Sequence, residues 1–301
     1  MQQLMAPCLR LRGLCPNSVV RDSLFQPKDN LTDLTKLTLV SLRTAIEFEN
    51  EMWILTDAES NVTGTSRAPH ISFTIGKHNW TIEGDRGCSI DGAEYTTELK
   101  MSGCQEGNFT CNDGQCVRMD QRCDQIPDCR DESDEKRCTV LVLKDGYNKN
   151  VPPVTSGVRK VNVSISIDLL KLVDIKEKDY SIEIQFSITL KWKEKRATYH
   201  NLKQEKTLNA LTTEDIAKLW LPKVIYENTD QKETTRLGDN WEWETRVVVE
   251  RQGNFTRSGL DVIDETEIFE GGENNLIMGQ TYTHDFQCFY DFSMYPFDTQ
   301  V

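Results

Sequence analysis

The sequence predicts a mainly β protein in which a small disulfide-linked module precedes an antiparallel β-sandwich. The first observation behind this prediction is that six of the ten cysteines fall within residues 104–138. The second is that long stretches after that segment alternate apolar and polar side chains. A third observation is the scarcity of helical periodicity. Strict alternation is typical of half-buried strands, and many such strands with few helices favour a sandwich.

Composition places the protein outside the cytosol and argues against a polyanionic partner. The chain has 301 residues, and 48 acidic against 35 basic side chains give a formal net charge of −13. This charge disfavours nucleic acid or anionic lipid as a partner. The cysteines and six N-x-S/T sequons indicate a secretory, oxidising environment. The sequon asparagines are Asn30, Asn61, Asn79, Asn108, Asn162 and Asn254.

Residues 1–103 are expected to be β-rich and are otherwise unassigned. Alternating patches such as 70–75 are punctuated by glycines, which favours short strands. The region is faintly similar to the last strands of a lectin-like module at Trp80-Thr81-Ile82, Cys88 and Leu99-Lys100-Met101-Ser102. Three cysteines of the region form an odd set, so at least one lacks a partner among them: Cys8, Cys15 and Cys88.

The start of the chain carries no recognisable export signal. It has no apolar core of about seven residues, as a signal peptide requires. Nowhere does the sequence contain a run of about 18 apolar residues that would span a membrane. A chain of secretory composition without such a signal is expected to be incomplete at its N-terminus.

Residues 104–138 are too few to bury the apolar surface that a stable fold needs, so covalent or ionic links must hold them. Their six cysteines supply disulfides, although the number alone leaves the connectivity open. The segment is also crowded with carboxylates, and a hard cation with oxygen ligands would balance them. These carboxylates belong to Asp124, Asp128, Asp131, Glu132, Asp134 and Glu135.

The same segment resembles a low-density-lipoprotein receptor class A module, through Phe109-Thr110-Cys111, Cys123-Asp124, Asp128-Cys129, Ser133-Asp134-Glu135 and Cys138. The resemblance implies three disulfides: Cys104–Cys116, Cys111–Cys129 and Cys123–Cys138. It also implies a calcium ion held by the carboxylates of Asp124, Asp128, Asp134 and Glu135 and the backbone carbonyls of Gln121 and Ile126. Many such modules carry an aromatic residue where Gln121 stands. Capture of a partner's lysine is therefore expected to be weak, and calcium is expected chiefly to fold the module.

Residues 139–301 are expected to form the sandwich. Apolar side chains occupy the odd positions of 161–169 and the even positions of 180–192, so each stretch predicts a strand with one buried face. The charged turn 176–179 would join the two strands, as an antiparallel pair or across facing sheets.

Further elements are expected downstream in the same region. Thr212 and Asp215 have the spacing of a helix N-terminus, and this short helix would end before Pro222. Additional strands are predicted over 241–249 and 276–292 from their alternation.

The last stretch, beginning at Cys288, resembles the signature loop of Cys-loop (pentameric) ligand-gated ion channels. Tyr295, Pro296 and Asp298 stand at the core positions of that loop, whose closing cysteine would be the next residue after Val301. Earlier segments resemble the same family in order and spacing: Gly146-Tyr147-Asn148, Trp192 with Arg196, and Trp220-Leu221-Pro222. The resemblance implies a C-terminally truncated channel-type sandwich over residues 139–301.

The resemblance implies an agonist pocket but does not identify the agonist. Tyr226 is the one aromatic residue that the family pattern offers as a ligand contact. Ser187 stands where the family usually has an aromatic residue, and Lys223 stands where it has an aspartate. Recognition of an amine needs several converging rings. Trp241 and Trp243 lie on one face of a predicted strand, which favours a core or subunit contact over a ligand cage.

The most direct hypothesis is therefore the extracellular ligand-binding portion of a ligand-gated ion channel subunit at the plasma membrane. Its partners would be a small-molecule agonist and other subunits of a pentamer, with calcium as the cofactor. The alternative is a secreted or endocytic receptor-like binding protein without a pore. An enzyme is disfavoured because no phosphate loop, G-x-S-x-G or H-E-x-x-H occurs and the four histidines are scattered, at His70, His78, His200 and His284.

Overall fold

The computed structural model describes residues 9–18, 20, 24–28, 38–67, 75–154, 160–226, 228–229 and 246–288. The chain forms two compact units: Met1–Cys138 with Phe255–Ile268, and Thr139–Asn254 with Phe269–Val301. Within the described ranges, no helix has the length and apolar character needed to cross a bilayer.

The first unit begins with a closed antiparallel barrel in which each strand pairs with the next and the eighth pairs with the first. Closure leaves no free strand edge. Inward-facing apolar side chains fill it, among them Phe25, Leu39, Ile46 and Leu55, each fully buried. The strands are β1 (Leu9–Arg12), β2 (Leu24–Pro27), β3 (Thr38–Val40), β4 (Thr44–Glu49), β5 (Met52–Asp57), β6 (Thr63–Ser66), β7 (Gly76–Glu83) and β8 (Tyr95–Ser102).

One disulfide joins distant parts of the barrel region. Cys15 pairs with Cys88, 73 positions later in the chain. Two of the three cysteines of this region are therefore paired with each other. The third, Cys8, lies outside the described residues, so the expectation that one cysteine lacks a partner among them stays a prediction. The similarity to a lectin-like module stays a prediction.

Residues 104–138 pack beside the barrel. They contain the two-stranded sheet of β9 (Asn108–Thr110) and β10 (Cys116–Arg118) and a 3₁₀ turn at Ser133–Glu135. Gly76 at the start of β7 has φ +97°, and a Cβ there would collide with the carbonyl oxygen of Asn112. A glycine is therefore needed for this close approach, in which the Lys77 amide donates to the Asn112 carbonyl at 2.9 Å.

The second unit is built mainly from antiparallel strands. One sheet has the order β12-β13-β18-β15, and β11, β14 and β17 lie side by side in another. The strands are β11 (Leu141–Leu143), β12 (Ser164–Lys176), β13 (Ser181–Trp192), β14 (Ala197–His200), β15 (Arg246–Glu250), β16 (Phe255–Arg257, in the first unit), β17 (Glu267–Glu270) and β18 (Asn275–Gln287). The mainly β fold with antiparallel sheets is confirmed.

Strand β13 follows the predicted alternation from Phe186 onward, whereas Tyr180 is 51% exposed and Ile182 and Ile184 are half-buried. Phe186, Ile188, Leu190 and Trp192 are all at most 3% exposed, while the residues between them are half-buried. Of the two arrangements expected for these strands, β12 and β13 form the antiparallel pair, joined through a 3₁₀ turn at Glu177–Asp179.

The prediction that residues 161–169 bury one face is wrong. In β12, Ile165, Ile167 and Leu169 are 60%, 62% and 67% exposed. β12 is the edge strand of its sheet, and its strand neighbour within the described ranges is β13 alone. Alternation specifies an apolar face, but it does not supply a layer that covers the face.

The short helix begins and ends close to its predicted bounds. Helix α1 spans Thr213–Lys218, and the Thr212 hydroxyl accepts a hydrogen bond from the Asp215 amide at 3.2 Å. The Asp215 carboxylate accepts from the Thr212 hydroxyl at 2.8 Å, which completes the N-terminal cap. The predicted strand 241–249 is described only from Arg246 onward, and 276–292 only as far as Cys288.

Candidate functional site

The first candidate site is a group of carboxylates in residues 121–135, which we call the carboxylate cage: Asp124, Asp128, Asp134 and Glu135 with Gln121 and Ile126. Hydrogen bonds link its members. Asp134 Oδ2 accepts from the Asp128 amide at 2.7 Å, and Glu135 Oε1 accepts from the Asp124 amide at 2.9 Å. The Gln121 side-chain amide donates to Asp128 Oδ1 at 2.9 Å, and the Ile126 amide donates to Asp124 Oδ1 at 3.0 Å.

One buried carboxylate of the cage is only partly satisfied by hydrogen bonds within the described residues. Asp134 is fully buried, and its Oδ1 atom has no hydrogen-bond partner among the described residues. Burial raises the pKa of Glu135, and the nearby charges of Asp124 and Asp134 add to this effect. An orphaned carboxylate oxygen beside two further carboxylates fits a hard cation with oxygen ligands.

A second grouping in the module does not fit a metal. Atoms of Cys111, Cys129 and Asp131 lie close together, but the two sulfurs form a disulfide and so are not thiolate ligands. The module's disulfides are the three pairs that the family resemblance implies: Cys104–Cys116, Cys111–Cys129 and Cys123–Cys138.

Beside the cage lies a cation pair that sequence reasoning missed. Lys100 and Arg122 are 0% and 2% exposed, and both contact the buried ring of Phe109. The Lys100 ammonium lies 4.7 Å from the ring centroid and the Arg122 guanidinium carbon 4.1 Å from it. Nothing in the local pattern distinguishes these cations from solvated ones, so no sequence signal points to them.

The second candidate site is an aromatic cluster around Tyr226 in the second unit, formed with Phe186, Tyr282, His284 and Phe286. The Tyr226 ring centroid lies 5.4 to 6.1 Å from the other four. The hydroxyl of Tyr226 and Nε2 of His284 are buried without a hydrogen-bond partner in the described residues. Burial raises the pKa of Tyr226 to about 12, so the phenol stays protonated at neutral pH. Tyr282, His284 and Phe286 occupy every second position of β18 and so lie on one face. This pattern is visible in the sequence and could have predicted that these three rings cluster.

Three segments that resemble the channel family meet at one polar cluster. The Tyr147 hydroxyl donates to Glu194 Oε2 at 3.1 Å and accepts from the Trp220 amide at 2.8 Å. Arg196 donates to both Glu194 oxygens, at 2.8 and 2.7 Å, and lies over the Tyr147 ring. Trp192 and Trp220 contact edge to face, with centroids 6.4 Å apart. Hydrogen bonding to Glu194 raises the pKa of Arg196.

Several predicted site residues are only partly described. Cys288 is a free, half-buried thiol whose amide donates to the Tyr180 carbonyl at 2.7 Å. Tyr295, Pro296 and Asp298 lie outside the described residues, as do Trp241, Trp243, His70 and the sequon at Asn30. Of the other sequons, Asn108 is half-buried and four are exposed: Asn61, Asn79, Asn162 and Asn254.

Two sequence families match this chain. Residues 135–259 match the neurotransmitter-gated ion-channel ligand binding domain, and residues 102–138 match the low-density lipoprotein receptor domain class A. Both matches fall where the resemblances were seen.

Curated relatives match in shorter stretches. The acetylcholine receptor subunit delta of Xenopus laevis is 29% identical over 116 residues, which cover 35% of this chain and 20% of that subunit. The vitellogenin receptor of Solenopsis invicta is 36% identical over 72 residues, 22% of this chain and 4% of that receptor. Transmembrane protease serine 7 of Rattus norvegicus is 54% identical over 47 residues, 16% of this chain and 6% of that protein. The chain thus spans a fifth or less of each of these relatives.

Proposed function

The chain belongs, over residues 135–259, to the neurotransmitter-gated ion-channel ligand-binding domains and carries a low-density-lipoprotein receptor class A module before that domain, and from this premise we propose that it serves as the extracellular ligand-binding portion of a ligand-gated ion channel subunit. In the complete protein the domain would face the outside of the plasma membrane, assemble with other subunits into a pentamer and control ion passage through a membrane pore.

The polar cluster of Tyr147, Glu194, Arg196 and Trp220 carries this proposal in the structure. It joins three channel-type segments that are separate in the sequence. The loop that starts at Cys288 and contains Tyr295, Pro296 and Asp298 would pass ligand-induced movement toward the pore.

The aromatic cluster supports a small organic cation as the agonist class. Rings attract cations through their faces, and several converging rings add their attraction. Tyr226, Tyr282 and His284 also offer polar atoms, two of them without a partner in the described residues. Since one relative is an acetylcholine receptor subunit, acetylcholine is the first probe to use.

Replacing Tyr226 by leucine is expected to weaken acetylcholine binding by about tenfold, because a desolvated cation–ring contact contributes up to about 2 kcal/mol. Isothermal titration calorimetry on the 301-residue chain measures this. Tyr180→Leu, at an exposed tyrosine outside the cluster, is the matched control and should bind as the native chain does. Equal affinity for the native and Tyr226→Leu chains would remove Tyr226 from the ligand site.

Calcium is proposed as the ion of the carboxylate cage. The side chains of Asp124, Asp128, Asp134 and Glu135 and the carbonyls of Gln121 and Ile126 would hold it, and the ion would neutralise the crowded carboxylates. The orphaned Oδ1 atom of Asp134 supports this assignment.

Calcium at about 100 times its dissociation constant is expected to stabilise the first unit by about 2.7 kcal/mol relative to a chelator. Urea unfolding with and without calcium, followed by hydrogen exchange in residues 104–138, measures the change. Asp134→Asn should abolish the calcium effect. Asp120→Asn, at an exposed carboxylate outside the cage, should keep it. A full calcium effect in Asp134→Asn would disprove the assignment.

The alternative function is a receptor-like binding protein without a pore, which the similarity to a vitellogenin receptor favours. The two functions separate in cells that express the complete gene. Agonist-evoked currents under voltage clamp are expected from a channel subunit. Agonist binding at the cell surface or in the medium without any current would favour the alternative.

A further inference from the structure

The segment Phe255–Ile268 belongs to the first unit, although the residues on both sides of it in the sequence belong to the channel-type unit. It leaves that unit after Asn254 and rejoins it at Phe269. We call it the crossing segment. Its acidic residues Asp264 and Glu265 meet the class A module and the barrel.

Asp264 is held by a buried ion pair. The Lys100 ammonium lies 2.5 Å from Asp264 Oδ1 and also donates to the Thr110 carbonyl at 2.9 Å. Lys100 is fully buried, so its charge depends on these two partners. Arg137 of the module lies 3.7 Å from the second oxygen of Asp264.

Glu265 is held from both sides. It accepts hydrogen bonds from the Thr110 amide at 3.3 Å and from the Thr110 hydroxyl at 3.0 Å. On the barrel side, the Arg12 guanidinium lies 3.2 Å from its Oε1 atom. The Gly13 amide of the barrel region donates to the Leu260 carbonyl at 2.9 Å, which fixes the backbone of the crossing segment as well.

Arg122 connects this contact to the carboxylate cage. Its guanidinium stacks on Phe109, the ring that Lys100 also contacts. The same guanidinium donates to the backbone carbonyls of Ser133 at 3.3 Å and of cage residue Asp134 at 3.4 Å. Arg122 and Phe109 therefore form a continuous line of contacts between the Asp134 backbone and Lys100, the partner of Asp264.

We propose that the class A module is the internal docking partner of the crossing segment, and that calcium in the carboxylate cage tightens this docking. On the module side, the acidic pair Asp264 and Glu265 contacts Thr110 and Arg137. Without the ion, repulsion among the cage carboxylates loosens the loop that positions Arg122 against Phe109, so the crossing segment is released more often. The inference rests on the calcium cage of the proposed function. It makes calcium a regulator of a segment that belongs to the first unit but is flanked in the sequence by residues of the second.

Hydrogen exchange measured by mass spectrometry on the full chain tests the proposal. Changing the buffer from a chelator to calcium chloride should slow exchange in residues 104–138 and in the crossing segment together, by about fivefold or more in each. Residues 181–192 of the second unit should not respond. A response in 104–138 without one in 255–268 would overturn the docking proposal and leave the cage intact. No response in either would overturn both.

A double variant shows whether the acidic contact carries the effect. Lys100→Met with Asp264→Leu removes both charges at once and so avoids leaving one of them buried alone. It should keep the calcium response of 104–138 and lose that of 255–268. Lys144→Met with Glu270→Leu removes an exposed ion pair of the second unit and should change neither response. A crossing segment that still responds in the Lys100/Asp264 variant would refute the assigned route. None of these readouts needs an agonist or a pore, so they are independent of the channel function itself.

Discussion

Asp264→Asn alone is expected to lower the free energy of unfolding of the first unit by about 3–5 kcal/mol. The substitution keeps the side-chain size but removes the carboxylate that pairs directly with the fully buried Lys100 ammonium. Burial already lowers the pKa of Lys100, an effect that Asp264 partly offsets, and the native pairing keeps the pKa of Asp264 below its ordinary value. Hydrogen exchange of β7 and β8 in a urea series reports this unit separately from the second.

A double variant shows how much of the expected loss in unfolding free energy comes from leaving one charge buried alone and how much from losing the ion pair itself. Lys100→Met with Asp264→Leu should be within about 1 kcal/mol of the native chain, because a buried pair is often replaced by apolar side chains at little cost. Lys144→Met, at an exposed pair, should change stability by about 0.5 kcal/mol or less. If Asp264→Asn is as mild as Lys144→Met, Lys100 is hydrated in solution and the buried pair is not formed.

Local sequence patterns predicted the structural elements that are determined by residues close together in the sequence. The spacing of Thr212 and Asp215 is sufficient for a helix cap, and the alternation of 180–192 is sufficient for β13. Within residues 104–138, the family resemblance implied the disulfide pairs that the structure contains. Each of these features depends on residues within a few turns or on one compact cysteine framework.

Features that depend on distant partners were not predictable in this way. Lys100 and Asp264 are 164 positions apart, and nothing in either neighbourhood indicates that they pair. The prediction of a buried face on β12 is wrong for the same reason. Whether a strand face is buried depends on a second layer that covers it and not on the strand itself. Tyr226 was identified alone, although the alternation of β18 already placed Tyr282, His284 and Phe286 on one face.

Phe186→Ala is expected to destabilise the second unit by about 3–5 kcal/mol, the usual cost of removing a buried phenyl ring. Phe186 is 3% exposed at the middle of β13 and touches every other member of the aromatic cluster, with centroids 5.7 to 6.4 Å away. Its loss therefore removes core volume and ring-to-ring contacts together. Hydrogen exchange of residues 181–192 and 275–287 in a urea series measures the change.

Two further variants separate the contributions of volume and ring. Phe186→Leu keeps most of the volume and should cost about 1.5 kcal/mol or less, while it lowers acetylcholine affinity if the ring orients Tyr226 for the ligand. Ser187→Ala, the next residue on the opposite face, should change stability by about 0.5 kcal/mol or less. Should Phe186→Ala cost no more than Ser187→Ala, the aromatic cluster is not packed in solution and Tyr226 has no fixed position from which to bind a cation. A large cost together with unchanged affinity in Phe186→Leu would instead make the cluster a core of the sandwich, with the agonist bound elsewhere.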